Sequence, residues 1–302
     1  MKKNSKKDNL KIFLPSGSIG DPTLIIFEEA GYKIKREDRK NIGEIKSIPG
    51  EVIFMRPQHI PRAIENEKFA IGICGKDWVA ENDSLTKIKI LSELSYSKVT
   101  NGKVKIAILA SKDNTFQSAK DIKAGSRIIT EYPNLTRKYF EDLKIPVEID
   151  FSHGNVEAMI PKYYDYGVTV VETGKSLEAN NLKIAQVIME SSTVLIASKN
   201  SFSTKKKRDQ IQEIKLNLCG TLEGRENVMV LFNVSKKYKN KTISLVPSLK
   251  SPTISPIFGG GYAVNSVVQK RSVNEIIFSL LKNGATDIVI CPISKIITSW
   301  EE

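Results

Sequence analysis

Short apolar runs, many of them β-branched, alternate along the chain with stretches whose apolar residues fall at helical spacing. Residues 10–14 predict a strand, followed by the loop Pro15-Ser16-Gly17-Ser18. A helix follows, with Asp21 as N-cap, Pro22 at its first position and Gly31 as its stop. Residues 52–55 predict a buried strand that runs into Arg56-Pro57-Gln58-His59-Ile60-Pro61, with a helix starting over 61–66. Residues 69–73 predict the next strand, and Cys74-Gly75-Lys76-Asp77-Trp78 turns into a helix, with Asp77 as a candidate cap and Trp78 as a core residue. Further strands are expected over 103–110, 127–130 and 147–151, with a helix carrying Leu135, Tyr139 and Leu143. Val156-Glu157-Ala158 reads as the start of another helix. Residues 168–171 form a strand that stops at Glu172; Thr173-Gly174-Lys175-Ser176 makes a tight loop, and 177–182 the helix after it. Two strand-like runs, 184–190 and 193–197, precede a helix over 205–218 with Ile211, Ile214 and Leu218 on one side.

The pattern then shifts. Strands over 227–234, 253–257, 262–268 and 287–291 interleave with helices over 236–245 and 273–281, giving the order βαββαβ of a ferredoxin-like unit. A separate domain is therefore expected from about Arg225 to the end. The fold class expected is α/β.

The loop between 171 and 177 has the geometry of a phosphate seat. Backbone N–H groups at a helix start carry partial positive charge, Gly174 admits close approach, and Thr173 and Ser176 offer hydroxyl donors. A plain strand-to-helix turn capped by Ser or Thr has the same spelling. A Walker loop does not, because it needs a glycine at 169, which is Thr. The Ser16-Gly17-Ser18 loop is a second cradle of the same type. Arg56, at the carboxyl end of a strand, faces the crevice where α/β proteins bind ligands, and its fork suits phosphate; an ordinary surface ion pair is the competing reading. Glu157 is placed either to accept sugar hydroxyls or to sit at a helix N-terminus.

Composition narrows the function classes. The 302 residues are 40% hydrophobic and 26% charged, enough for two or three ordinary cores. Three cysteines, Cys74, Cys219 and Cys291, are far apart and suit a reducing cytoplasm. Two histidines, His59 and His153, exclude a multi-histidine metal site. No apolar run is long enough to span a bilayer, so no membrane role is expected. Residues 1–9 read as a basic, solvated, disordered tail. The formal net charge of +12 is compatible with nucleic acid, a membrane surface or anionic small molecules. The lysines are scattered, however, and the one dense run, 205–208, lacks interleaved aromatic residues, so no specific nucleic-acid partner is expected.

Ordered along the chain, Leu14-Pro15-Ser16-Gly17-Ser18, Arg56-Pro57 with Ile60-Pro61, Gly72-Ile73 with Gly75-Lys76-Asp77-Trp78, Pro133-Asn134-Leu135-Thr136-Arg137, Gly154 with Glu157, and Glu172-Thr173-Gly174 through Leu177, Asn180 and Leu182 resemble ATP phosphoribosyltransferase, the first enzyme of histidine biosynthesis. Ser251-Pro252-Thr253-Ile254-Ser255-Pro256 and Asn283-Gly284-Ala285 resemble the regulatory domain of its long form. The resemblance implies two periplasmic-binding-protein-like lobes, 10–101 with 192–224 and 102–191, and an ACT-like regulatory domain over 225–302. It implies transfer of the ribose of phosphoribosyl pyrophosphate (PRPP) from C1 to N1 of the ATP adenine, with inversion, release of pyrophosphate and Mg²⁺ held mainly by substrate phosphates. Histidine as inhibitor and a homohexamer are implied as well.

On that resemblance Arg56, Glu157 and Glu172 are expected to be catalytic. Asp165, Glu172, Thr173, Gly174, Lys175, Ser176 and Leu177 are expected to bind PRPP. Ser16, Gly17, Ser18, Arg56, Gly75 and Asp77 are expected to bind ATP, and Ser251, Pro252, Thr253 and Ser255 the regulatory histidine. The sequence departs from the family pattern: an Asp is usual where Thr169 and His59 stand, a Thr where Cys74 stands, and an acid where Ala70 stands. These departures keep open a second reading, a catalytically impaired paralogue that serves as a ligand-sensing regulatory subunit.

Overall fold

The computed structural model describes residues 9–36, 41–94, 96, 103–115, 118–249 and 251–299. The expected tail before Asn9 and the lobe boundary at 101/102 lie outside the described residues. By contact density the chain divides into two units. One holds the chain up to Glu28 and again Tyr32–Lys215; the other holds Glu29–Gly31 and everything from Leu216 on.

In the first unit the chain runs β1 (Leu10–Pro15), α1 (Gly20–Glu29), β2 (Ile34–Arg36), β3 (Ile42–Ile45), β4 (Ile48–Met55), α2 (Ile60–Glu65), β5 (Ala70–Gly75), α3 (Lys76–Glu81) and β6 (Ile88–Leu94). It continues with β7 (Lys103–Ser111), β8 (Arg127–Thr130), α4 (Pro133–Leu143), β9 (Glu148–Phe151), β10 (Tyr166–Val171), α5 (Lys175–Ala179), β11 (Leu182–Ser198) and α6 (Lys205–Glu226). Sheet order is β2-β3-β4-β1-β5-β11-β7-β10-β8-β9, with β6 also on β11.

The long strand β11 makes this one sheet into two lobes. Its first part, to Ser192, pairs with β7; from Thr193 on it pairs with β5 and β6. The expectation of two separate strands here is corrected. A polar interruption, Glu190-Ser191-Ser192, breaks the apolar pattern without breaking the ladder, because the strand changes partners there rather than ending. Each lobe has its own core. Phe13, Ile60, Ile64, Val194 and Ile196 fill the first; Ile106, Ile108, Ile128, Phe140 and Val168 fill one face of the second. Each such fully buried side chain contributes about 1.5–3 kcal/mol relative to exposure.

Parallel pairings (β1 with β4 and β5, β8 with β9 and β10) set these strands side by side with their carboxyl ends together. That is the end where ligands bind in open α/β sheets.

Other local expectations shift. α1 begins at Gly20, so Asp21 lies inside its first turn rather than at the cap. The helix expected from Val156 is a single 3₁₀ turn, Glu157–Met159, because Pro161 closes off any continuation. This segment lies tight on β10: a Cβ on Gly167 would meet Val156 Cγ1 at 2.5 Å and Ile160 Cδ1 at 2.6 Å. α5 ends at Ala179 instead of 182, since Asn181 turns left-handed (φ +55°) to start β11. The short hairpin strands β2 and β3, and β6, are additions that periodicity did not suggest.

In the second unit, β12 (Asn227–Val234), α7 (Lys239–Ile243), β13 (Thr253–Pro256), β14 (Tyr262–Gln269), α8 (Val273–Lys282) and β15 (Ala285–Pro292) build an antiparallel sheet of order β13-β14-β12-β15. The ferredoxin-like βαββαβ reading holds. Alternate residues of β12 and β14, among them Val230, Phe232, Val264 and Val268, pack with Ile276 and Leu280 of α8. α6 is the connection, shared between the units at Lys215 and Leu216.

Candidate functional site

The loop after β10 is shorter than expected, because α5 begins at Lys175 and takes Lys175 and Ser176 into its first turn. β10 is buried except at Val170, and Leu177, 5% exposed, anchors α5 back into the lobe beside Leu109, Ile129 and Val171. Between these two anchors Glu172, Thr173, Lys175 and Ser176 are exposed around Gly174. Gly174 has φ +75°, and no atom lies within 4 Å of where its Cβ would be, so the space above the turn is open. α5 has five residues, so the loop's own amides and hydroxyls supply more of the anion attraction than a helix dipole does. Leu177 is a core anchor rather than a ligand contact.

Asp165 is not part of this loop. It stands before the first residue of β10, at the opposite end of a strand of six residues, about 20 Å from Glu172 at ~3.3 Å per residue. There its carboxylate accepts a hydrogen bond from Arg127 N (2.8 Å), and it lines a polar cavity of about 850 Å³ with Ser111, Asp121 and Lys123.

Two carboxylates stand beside the loop. Ser176 Oγ donates to Glu157 Oε1 at 3.1 Å. Thr169, buried on β10, donates to Glu131 Oε2 at 3.1 Å. Burial pushes the Glu131 carboxyl above its usual range; the Thr169 hydroxyl opposes this, and the charges of Glu157 and Asp77 add to it. Glu131 went unnoticed in the sequence. The signal available was its place directly after the apolar strand 127–130, at the carboxyl end where site residues collect.

On the other lobe, the loop after β1 is held by Ser16 N donating to Met55 O (2.8 Å) and Gly20 N donating to Gly17 O (3.0 Å). Gly17 has φ +89°, and its Cβ position lies 3.6 Å from Arg56 Nη1. Ser16, Gly17, Ser18 and Arg56 are thus together. Arg56 is exposed and pairs with no carboxylate among the described residues.

Asp77 is corrected. The structure makes it neither a cap nor an open ATP contact. It is 5% exposed, and its carboxylate accepts from Ser191 Oγ (2.5 Å) on β11 and from Tyr132 OH (2.9 Å) at the start of α4. Asp77 N donates to Ser191 Oγ at 3.0 Å. Gly75 is required by this arrangement, since a Cβ there would lie 2.1 Å from Asp77 Oδ1. Trp78 stacks on Tyr132 at 4.5 Å between ring centroids. One turn further on, Glu81 accepts from Asn134 N (3.1 Å) and Leu135 N (2.9 Å), capping α4 from the other lobe. Burial raises the pKa of Asp77 and of Glu81, against the hydrogen bonds each accepts. The sequence held a hint of this latch: Asp77 and Glu81 share a helix face, and Tyr132-Pro133 opens α4 without a capping side chain.

In the second unit, Ser251 and Thr253 line a cleft of about 250 Å³ with Ser248, Asn265, Ser266 and Ile297. Pro252 and Ser255 are neighbours on or beside the edge strand β13 and do not line it.

Among the described residues no three His, Cys, Asp or Glu side chains converge on one point. Exposed Glu172 on the loop after β10 and Glu157 beside that loop are oxygen donors of the kind that fit a hard cation bringing most of its ligands as substrate phosphates.

Comparison with known proteins identifies the family. The ATP phosphoribosyltransferase family profile matches residues 56–220, and the profile of that family's C-terminal domain matches 224–295. An ATP phosphoribosyltransferase of Pelotomaculum thermopropionicum is 31% identical over 289 residues, covering 95% of this chain and 99% of that protein. One from Geotalea daltonii is 34% identical over 292 residues, covering 96% and 99%. Among solved structures, the ATP phosphoribosyl transferase (HisG:HisZ) complex from Thermotoga maritima superposes with a TM-score of 0.57 at 23% identity, covering 69% of this chain and 98% of that one; this is a likeness of fold. With both family profiles matched, relatives of 31–34% identity along nearly the whole chain, and a C-terminal βαββαβ unit after the two lobes, the chain belongs to the ATP phosphoribosyltransferase family, in its long form.

Proposed function

We propose that this chain joins N1 of the ATP adenine to C1 of PRPP with inversion and release of pyrophosphate, the committed step into histidine biosynthesis. The observation that carries the reading is the loop 172–176, open above a left-handed Gly174 and tied through Ser176 to Glu157. The 5′-phosphate of PRPP sits on the loop, and its ribose turns toward the carboxylates. The transition state, with positive charge growing at C1 and pyrophosphate departing, needs positioning and charge neutralisation rather than covalent help. Glu157 and Glu172 favour the growing cation. Arg56 and Lys175 neutralise phosphate oxygens, and Ser16, Gly17 and Ser18 hold the ATP phosphates. Mg²⁺, bound chiefly by substrate phosphates, supplies further neutralisation of the leaving group when present.

The functional modules are lobe I (10–101 and 192–224), lobe II (102–191) and a regulatory module (225–302). Histidine binds the cleft at Ser251 and Thr253 and inhibits. Large apolar side chains exposed on the second unit, among them Phe258, Phe278, Leu281 and Val289, suit burial between subunits of a homohexamer. Free cysteines suit a cytoplasmic setting, and among the described residues no helix is long and apolar enough to cross a membrane.

The test is pyrophosphate release from ATP, PRPP and Mg²⁺. Wild type turns over, and Gly174→Asp, which puts a strained backbone and a negative charge on the phosphate seat, does not. A wild-type protein that releases nothing above background refutes the enzyme and favours the ligand-sensing paralogue. Histidine is expected to slow the full-length enzyme and to have no effect after truncation ahead of Arg225; undiminished inhibition in the truncated protein refutes the regulatory assignment.

A further inference from the structure

We propose that Glu131 is a substrate-contacting residue: its carboxylate and that of Glu157 form a two-acid cradle for the vicinal hydroxyls of the sugar, with Thr169 holding Glu131 in place. The proposal rests on the reading that the loop 172–176 seats the sugar's phosphate.

Four observations support it. First, Glu131 is half-buried at the carboxyl end of β8, yet no Lys or Arg pairs with it among the described residues; its one hydrogen-bond partner is the Thr169 hydroxyl on Oε2. Second, its other oxygen faces the loop that carries Glu157, since the Cβ position of Gly154 lies 3.8 Å from Glu131 Oε1. Third, Glu157 is close enough for its charge to act on Glu131, and it too lacks a cationic partner among the described residues, with Ser176 occupying only Oε1. Two unneutralised acids facing each other in a half-buried crevice are unfavourable unless donors or a cation arrive with the ligand. Fourth, among the described residues no third ligating side chain joins them, so no protein-held metal site among those residues accounts for the pair. One free oxygen on each acid matches the two donors of a vicinal diol. The bond from Ser176 to Glu157 places that diol beside the phosphate seat, as a sugar 5-phosphate requires.

The arrangement also gives Thr169 a role. Position 169 is where the family resemblance leads one to expect Asp. Here a buried hydroxyl stands there, and the acid arrives from the adjacent strand, 3.1 Å away. The carboxylate has changed strands without leaving the site.

The experiment is a carboxylate relocation in the full-length protein, read by PRPP and ATP kinetics and by calorimetric binding of ribose 5-phosphate and 2-deoxyribose 5-phosphate. Glu131→Ala is expected to raise KM for PRPP about 10- to 100-fold, as loss of a charged hydrogen bond does, with KM for ATP unchanged. Thr169→Asp alone also weakens PRPP binding, because it crowds a second acid onto Glu131. Glu131→Ala combined with Thr169→Asp recovers most of the loss, which a merely structural Glu131 would not allow. Wild type prefers ribose 5-phosphate over the deoxy sugar, and Glu131→Ala loses that preference. If Glu131→Ala keeps both the PRPP KM and the sugar preference, or if the double variant is no better than Glu131→Ala, the proposal is overturned while the phosphate-loop reading stands. If wild type binds neither sugar phosphate, that reading falls, and the proposal with it.

Discussion

The loops after β1 and after β10 share a backbone plan and differ in what surrounds them. Each follows a buried strand, turns through a glycine at positive φ (Gly17 at +89°, Gly174 at +75°) and opens a helix. Gly17 lies under the Arg56 guanidinium, at the head of a helix of ten residues. Gly174 lies under open space, at the head of a helix of five residues, with Glu157 and Glu131 alongside. A loop backed by a cation suits the dense charge of a polyphosphate. A loop flanked by acids suits a phosphate monoester whose other end carries hydroxyls. On the proposed function both loops seat anions through the same backbone plan, and the side chains brought by neighbouring strands would decide which anion each one takes.

The strongest way to break this comparison is to remove the cation. Arg56→Ala should lower kcat/KM for pyrophosphate formation by about 10²–10³-fold, the scale of losing one well-placed charge-stabilising donor. The melting temperature should stay put, because Arg56 is exposed and holds no partner among the described carboxylates. A parallel fall in melting temperature would recast Arg56 as a brace for the Gly17 loop.

Next in size is the contact that joins α3 of one lobe to Tyr132 and α4 of the other. Gly75→Ala drives a Cβ to 2.1 Å from Asp77 Oδ1, and the carboxylate must swing away from Ser191 and Tyr132. Losing two buried hydrogen bonds costs about 1–3 kcal/mol at the ordinary net value per bond. At ~2–4 °C per kcal/mol for a domain of this size, thermal unfolding should shift down by roughly 2–12 °C. An unchanged melting temperature would show that the lobes do not depend on this contact.

Smaller and more discriminating are the paired substitutions Gly17→Ala and Gly174→Ala. Neither Cβ clashes, so each pays only for the left-handed backbone, about 1–2 kcal/mol. Gly17→Ala should raise KM for ATP and Gly174→Ala KM for PRPP, each several-fold to about tenfold. Equal effects of both on both substrates would dissolve the division of labour between the loops.

The parts of this picture that sequence revealed are those set by local pattern. Alternation through Val230 and Phe232 and helical spacing in 273–281 suffice for the C-terminal unit, and a β-branched run followed by Thr-Gly-Lys-Ser marks the second loop. What stayed hidden depends on which strand end a residue occupies or on who pairs with whom. Asp165 is near Glu172 in the chain, but a strand separates them and carries them to opposite ends of β10. Asp77 looks like a cap because acids at helix starts usually are caps. Only the approach of Ser191 and Tyr132 from remote positions turns it into an interlobe latch. Glu131 showed only its place after an apolar strand; its pairing stayed hidden for the same reason, since its partner Thr169 lies on another strand.

The latch also gives the smallest of the expected effects, one of pH. Asp77 titrates above the ordinary Asp value because burial disfavours its charge, more than the Ser191 and Tyr132 hydrogen bonds and the nearby backbone amides favour it. The charged and titratable neighbours are Cys74, Glu131, Glu81 and Tyr132, and none of them offers a positive charge. The folded protein therefore holds this proton more tightly than the unfolded chain does. Its stabilising contribution is complete below the unfolded Asp value, about 3.9, and is lost as pH rises through the raised folded value. Glu81 and Glu131 have the same sign. Asp77→Asn keeps the shape, and the two hydroxyls can turn to meet an amide, but position 77 then carries no charge to desolvate at any pH. The melting temperature of Asp77→Asn relative to wild type should therefore climb as pH is raised from about 4 toward neutrality. A difference that stays flat, or falls, would mean that the latch holds Asp77 as a satisfied carboxylate. The polar side of the crevice would then be set by the loops alone.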